Sequence, residues 1–171
     1  TNPKTIISTA RYPEQKRLAA ELGSDIVVNP DEIHRAVRRA CGTKAITNVS
    51  EKGPEGSVDR LTGGADVVID CVGTSKSISD ALSITKPKGK IILVGMPSIV
   101  ELELTPLWHR ELQLIGAYTY GTERLANGEA VNTFDLAFEL VKSAKLEKLV
   151  SACYRLNNYQ EALKHAANAG A

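Results

Sequence analysis

Aromatic side chains are scarce here: one Trp, two Phe and five Tyr in 171 residues, 5% of the chain. A platform on which nucleobases stack in series needs more of them. No sign of charge dominates either, since 21 Lys and Arg against 20 Asp and Glu leave a formal net charge of +1. That argues against the electrostatic footprint of nucleic-acid and membrane-surface binders. Cysteine is sparse, with three residues at positions 41, 71 and 153. The count is odd and has none of the close pairs of a structural zinc site or a disulfide framework. Such usage fits a reducing compartment, and a cytoplasmic protein is expected. No apolar run approaches the ~20 residues that span a bilayer. The opening residues, TNPKTIIST, have neither the basic start nor the apolar middle of a signal peptide.

What the sequence does have is rhythm. Hydrophobic residues make up 43% of a chain of single-domain length. Short runs rich in Val and Ile occur at Lys4–Thr9, Asp25–Val28, Ala65–Asp70, Lys90–Val94 and Glu111–Ala117. They are continuous rather than alternating, as suits strands covered on both faces of a parallel sheet. Between them the spacing is helical. Glu14–Leu22 has Pro13 placed for a first turn and Gly23 for a stop. Asp31–Ala40 has an apolar face of Ile33, Ala36, Val37 and Ala40. Ser77–Thr85 offers Ile78, Ala81 and Leu82 before Pro87. Further helices are expected at Thr133–Ser143 and Asn158–Asn168, the second opened by an Asn158/Glu161 capping box, with Leu149–Leu156 extended between them. Strand and helix alternating in this way predict an α/β fold with a doubly wound, mostly parallel sheet.

Some segments leave the rhythm. Residues 41–57 are long, polar and aperiodic, and read as an insertion, mobile or with a small element of its own. Val100–Leu104 (VELEL) alternates cleanly, which predicts an exposed edge strand. Thr105–Arg110 reads as a capped helical turn docking Trp108 inward. Cys71 reads as a small buried hydrophobe, and Cys41 and Cys153 as packing or surface thiols. His34, His109 and His165 are scattered, and His34 with Arg35, Arg38 and Arg39 reads as the solvated face of its helix.

The order of Ile6–Asn29, Gly64–Gly73 (GADVVIDCVG), Pro87–Pro97 (PKGKIILVGMP), Leu112–Gly121 (LQLIGAYTYG) and Phe134–Ala162 resembles the cofactor-binding domain of the medium-chain dehydrogenase/reductase family, the zinc-type alcohol dehydrogenases. No one of these motifs is strong; their order and spacing carry the likeness. The resemblance implies that residues 1–171 are part of an NAD(P)-binding Rossmann-type domain. It implies too that the family's first strand and Gly-rich phosphate turn, and its separate substrate and zinc domain, have no counterpart here. In the order 3-2-1-4-5-6 the first strand is central, so either its neighbours close up or their edges are satisfied otherwise.

The implied chemistry is hydride transfer between an alcohol or polyol and a nicotinamide, with zinc held outside this chain as Lewis acid and no catalytic residue within it. Cofactor contacts are implied at the strand ends: Ala10, Arg11 and Tyr12, then Cys71, Val72 and Gly73, then Val94, Gly95 and Met96, and finally Ala117 and Thr119. An acid after the second strand would bind the ribose 2′-OH of NAD. Here Ala10 or Arg11 stands in its place, and a guanidinium suits a 2′-phosphate, so NADP is expected over NAD. The family's two-fold pairing implies a homo-oligomer through residues 100–104. The alternatives are a non-catalytic nucleotide-binding or assembly module of α/β fold, or a Rossmann-like methyltransferase using the acid at Asp70, which would also need the missing Gly-rich loop.

Overall fold

The structure is a computed structural model that describes residues 3–46, 60–144 and 146–168. Its elements follow in the order β1 (Ile7–Thr9), α1 (Pro13–Glu21), β2 (Ile26–Val28), a 3-10 turn (Pro30–Glu32) and α2 (Ile33–Ala40). Next come β3 (Ala45–Ile46), β4 (Arg60–Leu61), β5 (Ala65–Asp70), α3 (Ser75–Ile84), β6 (Thr85–Leu93), α4 (Thr105–His109) and β7 (Gln113–Gly116). The hairpin β8 (Thr122–Arg124) and β9 (Ala130–Asn132), α5 (Thr133–Ala144), two 3-10 turns (Leu146–Leu149 and Leu156–Asn158) and α6 (Tyr159–Asn168) complete the chain.

Local chemistry explains the boundaries. Pro13 sits in the first turn of α1, and Tyr12 precedes it in extended conformation. Gly23, at φ +108°, stops the helix with a left-handed turn. Thr74 caps α3 by accepting from the Ser77 amide at 3.2 Å. That cap starts the helix at Ser75, two residues ahead of the expected Ser77. Pro87 does not end α3; the strand β6 already begins at Thr85, and Pro87 falls where its register with β5 shifts, between the pairs Ala65–Thr85 and Val67–Lys90. Gly64 is obligatory for the same crossing. At φ +145° a Cβ there would stand 2.0 Å from the Ile84 carbonyl oxygen.

The parallel sheet expected from the sequence is present in two blocks. β1 and β2 pair in parallel, and β5, β6 and β7 form a parallel three-stranded sheet in that order. Against the doubly wound order 3-2-1-4-5-6, these are the strands on either side of a central position that no described strand fills. β1 and β5 do not pair with each other. Helix α2 joins the blocks instead. Ile33 and Val37 of α2 share a core with Leu61 and Ile84, and this core takes Ile7 from β1, Val28 from β2 and Val68 from β5. A second core lies under α3, where Ile78, Ala81 and Leu82 meet Ile91 of β6 and Leu112. The opposite face of the three-stranded sheet is bare: Val67 and Ile69 are 52% and 62% exposed.

Several expectations are corrected. Val100–Leu104 is no strand; Val100 and Leu102 turn inward against the core under α3, so the alternation is real but comes from an irregular segment. Trp108 is 81% exposed, and it is Pro106 and Leu107 of α4 that pack. Cys71 is exposed, as are Cys41 and Cys153, and all three are free thiols. The expected helix at Asn158–Asn168 is present as α6, one residue shorter at its start; Asn158 immediately precedes it and its amide donates to the Arg155 carbonyl at 2.9 Å. Residues 150–155 form no strand. Of the segment 41–57, residues 47–57 lie outside the described residues, while Ala45–Ile46 pairs antiparallel with Arg60–Leu61.

Candidate functional site

In open α/β sheets ligands gather beyond the carboxyl ends of the strands, and that is where this chain has a cleft. Its volume is about 300 Å³, and Val72, Gly73 and Thr74 face Met96, Ser98 and Ile99 across it. The first three follow β5 and the others follow β6. This is at the lower end of the size of small-molecule pockets. Its walls mix exposed apolar side chains, Val72 and Met96, with the hydroxyl-bearing residues Thr74, Ser75 and Ser98, whose oxygens also accept from the amides of Ser77, Glu101 and Ile99.

The two strand tips meet through backbone. Gly73 is at φ +78°, and a Cβ there would lie 2.9 Å from the Gly95 carbonyl oxygen. A Cβ on Gly95 would lie 2.5 Å from the Val72 amide nitrogen. Only glycine permits so close an approach at both positions. Asp70, 5% exposed at the end of β5, organises the junction. Its Oδ1 accepts from the amides of Val72 at 2.8 Å and Gly73 at 3.2 Å, and its Oδ2 accepts from Ser77 Oγ at 3.0 Å. Its carbonyl oxygen accepts from the amides of Val94 at 2.8 Å and Gly95 at 2.9 Å.

Of the residues singled out from the sequence, Val72, Gly73 and Met96 line this cleft, while Cys71, Val94 and Gly95 adjoin them at the same two strand tips without lining it. Ala117 continues the row, its amide donating to the Leu93 carbonyl at 2.9 Å. Thr119 lies further on, exposed and in left-handed conformation at φ +34°. Ala10, Arg11 and Tyr12 belong to the other block. Ala10 is buried and its amide donates to the Val28 carbonyl at 2.9 Å, while Arg11 is exposed where the chain leaves β1. Gln15 Oε1 accepts from the Arg11 and Tyr12 amides at 3.3 and 3.4 Å, which fixes the turn that displays them. The nearest carboxylate along the chain, Glu14, is taken by Arg17 at 2.9 Å. That hydrogen bond holds the Glu14 carboxyl below its usual value.

The sequence reading missed the hydroxyls of Thr74, Ser75 and Ser98. Thr74 and Ser77 have the spacing of a helix cap, a signal that places Thr74 at the helix mouth. Nothing local marks Ser98. Among the described residues no three His, Cys, Asp or Glu side chains gather as a metal-binding group. No helix among them is long and apolar enough to cross a membrane.

Comparison with known proteins identifies the family to which this fold belongs. Residues 3–135 match the family described as zinc-binding dehydrogenase. The sorbitol dehydrogenase of Arabidopsis thaliana is 30% identical over 148 residues, which is 82% of this chain and 38% of that protein. The L-idonate 5-dehydrogenase of Vitis vinifera is 29% identical over the same length, again 82% of this chain and 38% of its own. The chain thus spans well under half the length of these relatives. Among solved structures, the L-idonate 5-dehydrogenase of Escherichia coli superimposes with a TM-score of 0.67 at 20% identity, over 98% of this chain and 40% of that one. An Escherichia coli oxidoreductase/dehydrogenase of unknown specificity gives 0.70 at 19% identity, over 96% and 40%. These two likenesses are of fold. Fold, cleft and matched residues together lead to one conclusion: the chain belongs to the zinc-binding dehydrogenase family.

Proposed function

We propose that this chain is the dinucleotide-seating part of an NAD(P)-dependent oxidoreductase that moves a hydride between an alcohol or polyol and a nicotinamide. The observation that carries the reading is the cleft at the carboxyl ends of β5 and β6, with apolar walls and hydroxyls at its mouth. The donor set suits the ligand. Val72 and Met96 offer exposed apolar surface to an aromatic base, Thr74 and Ser75 offer hydroxyls to a ribose, and the backbone at Gly73 and Gly95 lets a ligand approach closely. The cofactor supplies the hydride chemistry, and the chain's residues bind and orient it. Polyol substrates are suggested by the relatives named sorbitol and L-idonate dehydrogenases. The described residues offer no ligand set for zinc, so no step is assigned to a metal on this chain.

NADP is the favoured dinucleotide. Arg11 stands where an acid would select NAD, and Glu14 is committed to Arg17. Calorimetric titration of the purified chain with NADPH and NADH tests this. NADPH should bind more tightly, and Arg11→Ala should weaken it about tenfold with NADH unaffected. Equal loss for both, or none for either, would refute the assignment.

We infer also that residues 100–104 join two copies of the chain. The segment pairs with no strand among the described residues, and its neighbours Met96 and Ile99 are almost wholly exposed. Leu102 is needed by the core, so Ile99→Glu, at a wholly exposed neighbour, is the cleaner probe of an apolar contact between copies. Sedimentation should move towards monomer; an unchanged profile counts against pairing here. A reducing, cytoplasmic location is supported by three exposed free thiols. The assembly-module alternative would be favoured by stable oligomers that bind neither dinucleotide.

A further inference from the structure

We propose that Asp70 is the positioning residue of the cleft, tying the tips of β5 and β6 into one ligand-facing surface; the ligand's identity rests on the dinucleotide reading above. Five donors from three segments converge on this residue. The amides of Val72 and Gly73 and the Ser77 hydroxyl reach its carboxyl, and the amides of Val94 and Gly95 reach its carbonyl. Side chain and main chain of one residue thereby hold opposite walls. With no side chain between Gly73 and Gly95, a shift of the 72–73 turn passes directly into residues 95–96. Of the held residues Val72 and Gly73 line the cleft, Met96 follows the held Gly95 into it, and Ser75, two residues before Ser77, accepts from the Glu101 amide at 3.2 Å and so brings in the outer wall.

A residue that merely filled space could be replaced by any side chain of its size. An acceptor aimed at two amides can be replaced only by another acceptor. Asp70→Asn keeps Oδ1 for the amides, and its Nδ2 can donate to Ser77 Oγ, whose own hydrogen can go to the Thr74 carbonyl at 3.1 Å. Asp70→Leu fills a similar volume and accepts nothing.

The test measures three things on the purified chain: NADPH affinity, hydrogen exchange at individual amides, and alkylation of the Cys71 thiol next door. Asp70→Leu should weaken NADPH about tenfold and speed both exchange at Val72, Gly73 and Gly95 and Cys71 alkylation, while the Leu82 and Ile91 amides stay protected. Asp70→Asn should remain within about threefold of the wild type. Wild-type affinity in Asp70→Leu, or Asp70→Asn as impaired as Asp70→Leu, overturns the proposal. If the wild-type chain takes up no NADPH, the dinucleotide reading fails, and the exchange and alkylation arms decide the coupling alone: faster rates uphold it, unchanged rates sink it. If Asp70→Leu loses core protection, Gly95→Ala replaces it. The added Cβ presses on the Val72 amide, so coupling requires faster exchange at Val72 and Gly73, and unchanged exchange overturns it.

Discussion

His34 offers one ring nitrogen to two partners. Its Nε2 lies 3.2 Å from Asp80 Oδ1 and 3.2 Å from Ser83 Oγ, which binds α2 to α3. In the sequence His34 read as part of a solvated basic face, and Arg35, Arg38 and Arg39 do face solvent. The histidine does not, because α3 packs on that side, and helical spacing within α2 carries no trace of a neighbour 46 residues away. Burial pushes the Asp80 carboxyl up, but hydrogen bonds from His34 and Lys76 pull it below its ordinary value. A carboxyl lowered in the folded state stabilises the fold above its unfolded pKa, near 4, and loses that contribution as the pH falls through the folded value. Urea midpoints should therefore drop between pH 5 and pH 3 in the wild type. Asp80→Asn should be less stable at pH 6 and show a shallower fall over that range. Parallel curves for the two proteins would mean that Asp80 is not the group responsible.

At the level of elements, the connection from α4 into β7 is fastened by a buried cation. Arg110 is 3% exposed; Nη1 donates to the Ser83 carbonyl at 2.7 Å, and Nη2 to the carbonyls of Leu61 at 2.8 Å and Gly63 at 2.6 Å. One guanidinium thus joins the end of α3, the strand β4 and the approach to β5. Arg110→Met should cost about 3 kcal/mol by leaving carbonyls unpaired. Arg110→Lys should recover only part of this, since an ammonium lacks the planar fork. Chemical denaturation measures both, and a loss under about 0.5 kcal/mol for Arg110→Met would contradict the role. Sequence reading could not find it, because its partners are main-chain carbonyls that leave no pattern of side chains. The helices α1, α2, α3 and α5 were legible from spacing and caps. The hairpin β8–β9 has no Val- and Ile-rich run to mark its strands, although Asn127-Gly128 is a strong turn signal. Val100–Leu104 misled for a definite reason: two inward apolar residues alternate whether or not a strand partner exists.

Across the whole molecule, the α/β class and the strand tips at Gly73 and Gly95 could be read from residues, because parallel strands and their glycine-ended turns keep their character locally. The division into two blocks could not, since pairing between strands is a property of what lies beside them. It exists only in three dimensions, where one helix spans two sheets. The exposed side of β5, with Val67 and Ile69 turned to water beside an edge that no described strand pairs, also governs the behaviour of the material in the tube. Burial of apolar surface weakens on cooling, whereas an open strand edge recruits other chains as their concentration rises. Cold, dilute solutions should accordingly keep the protein clear, and warming a concentrated one should drive it out of solution.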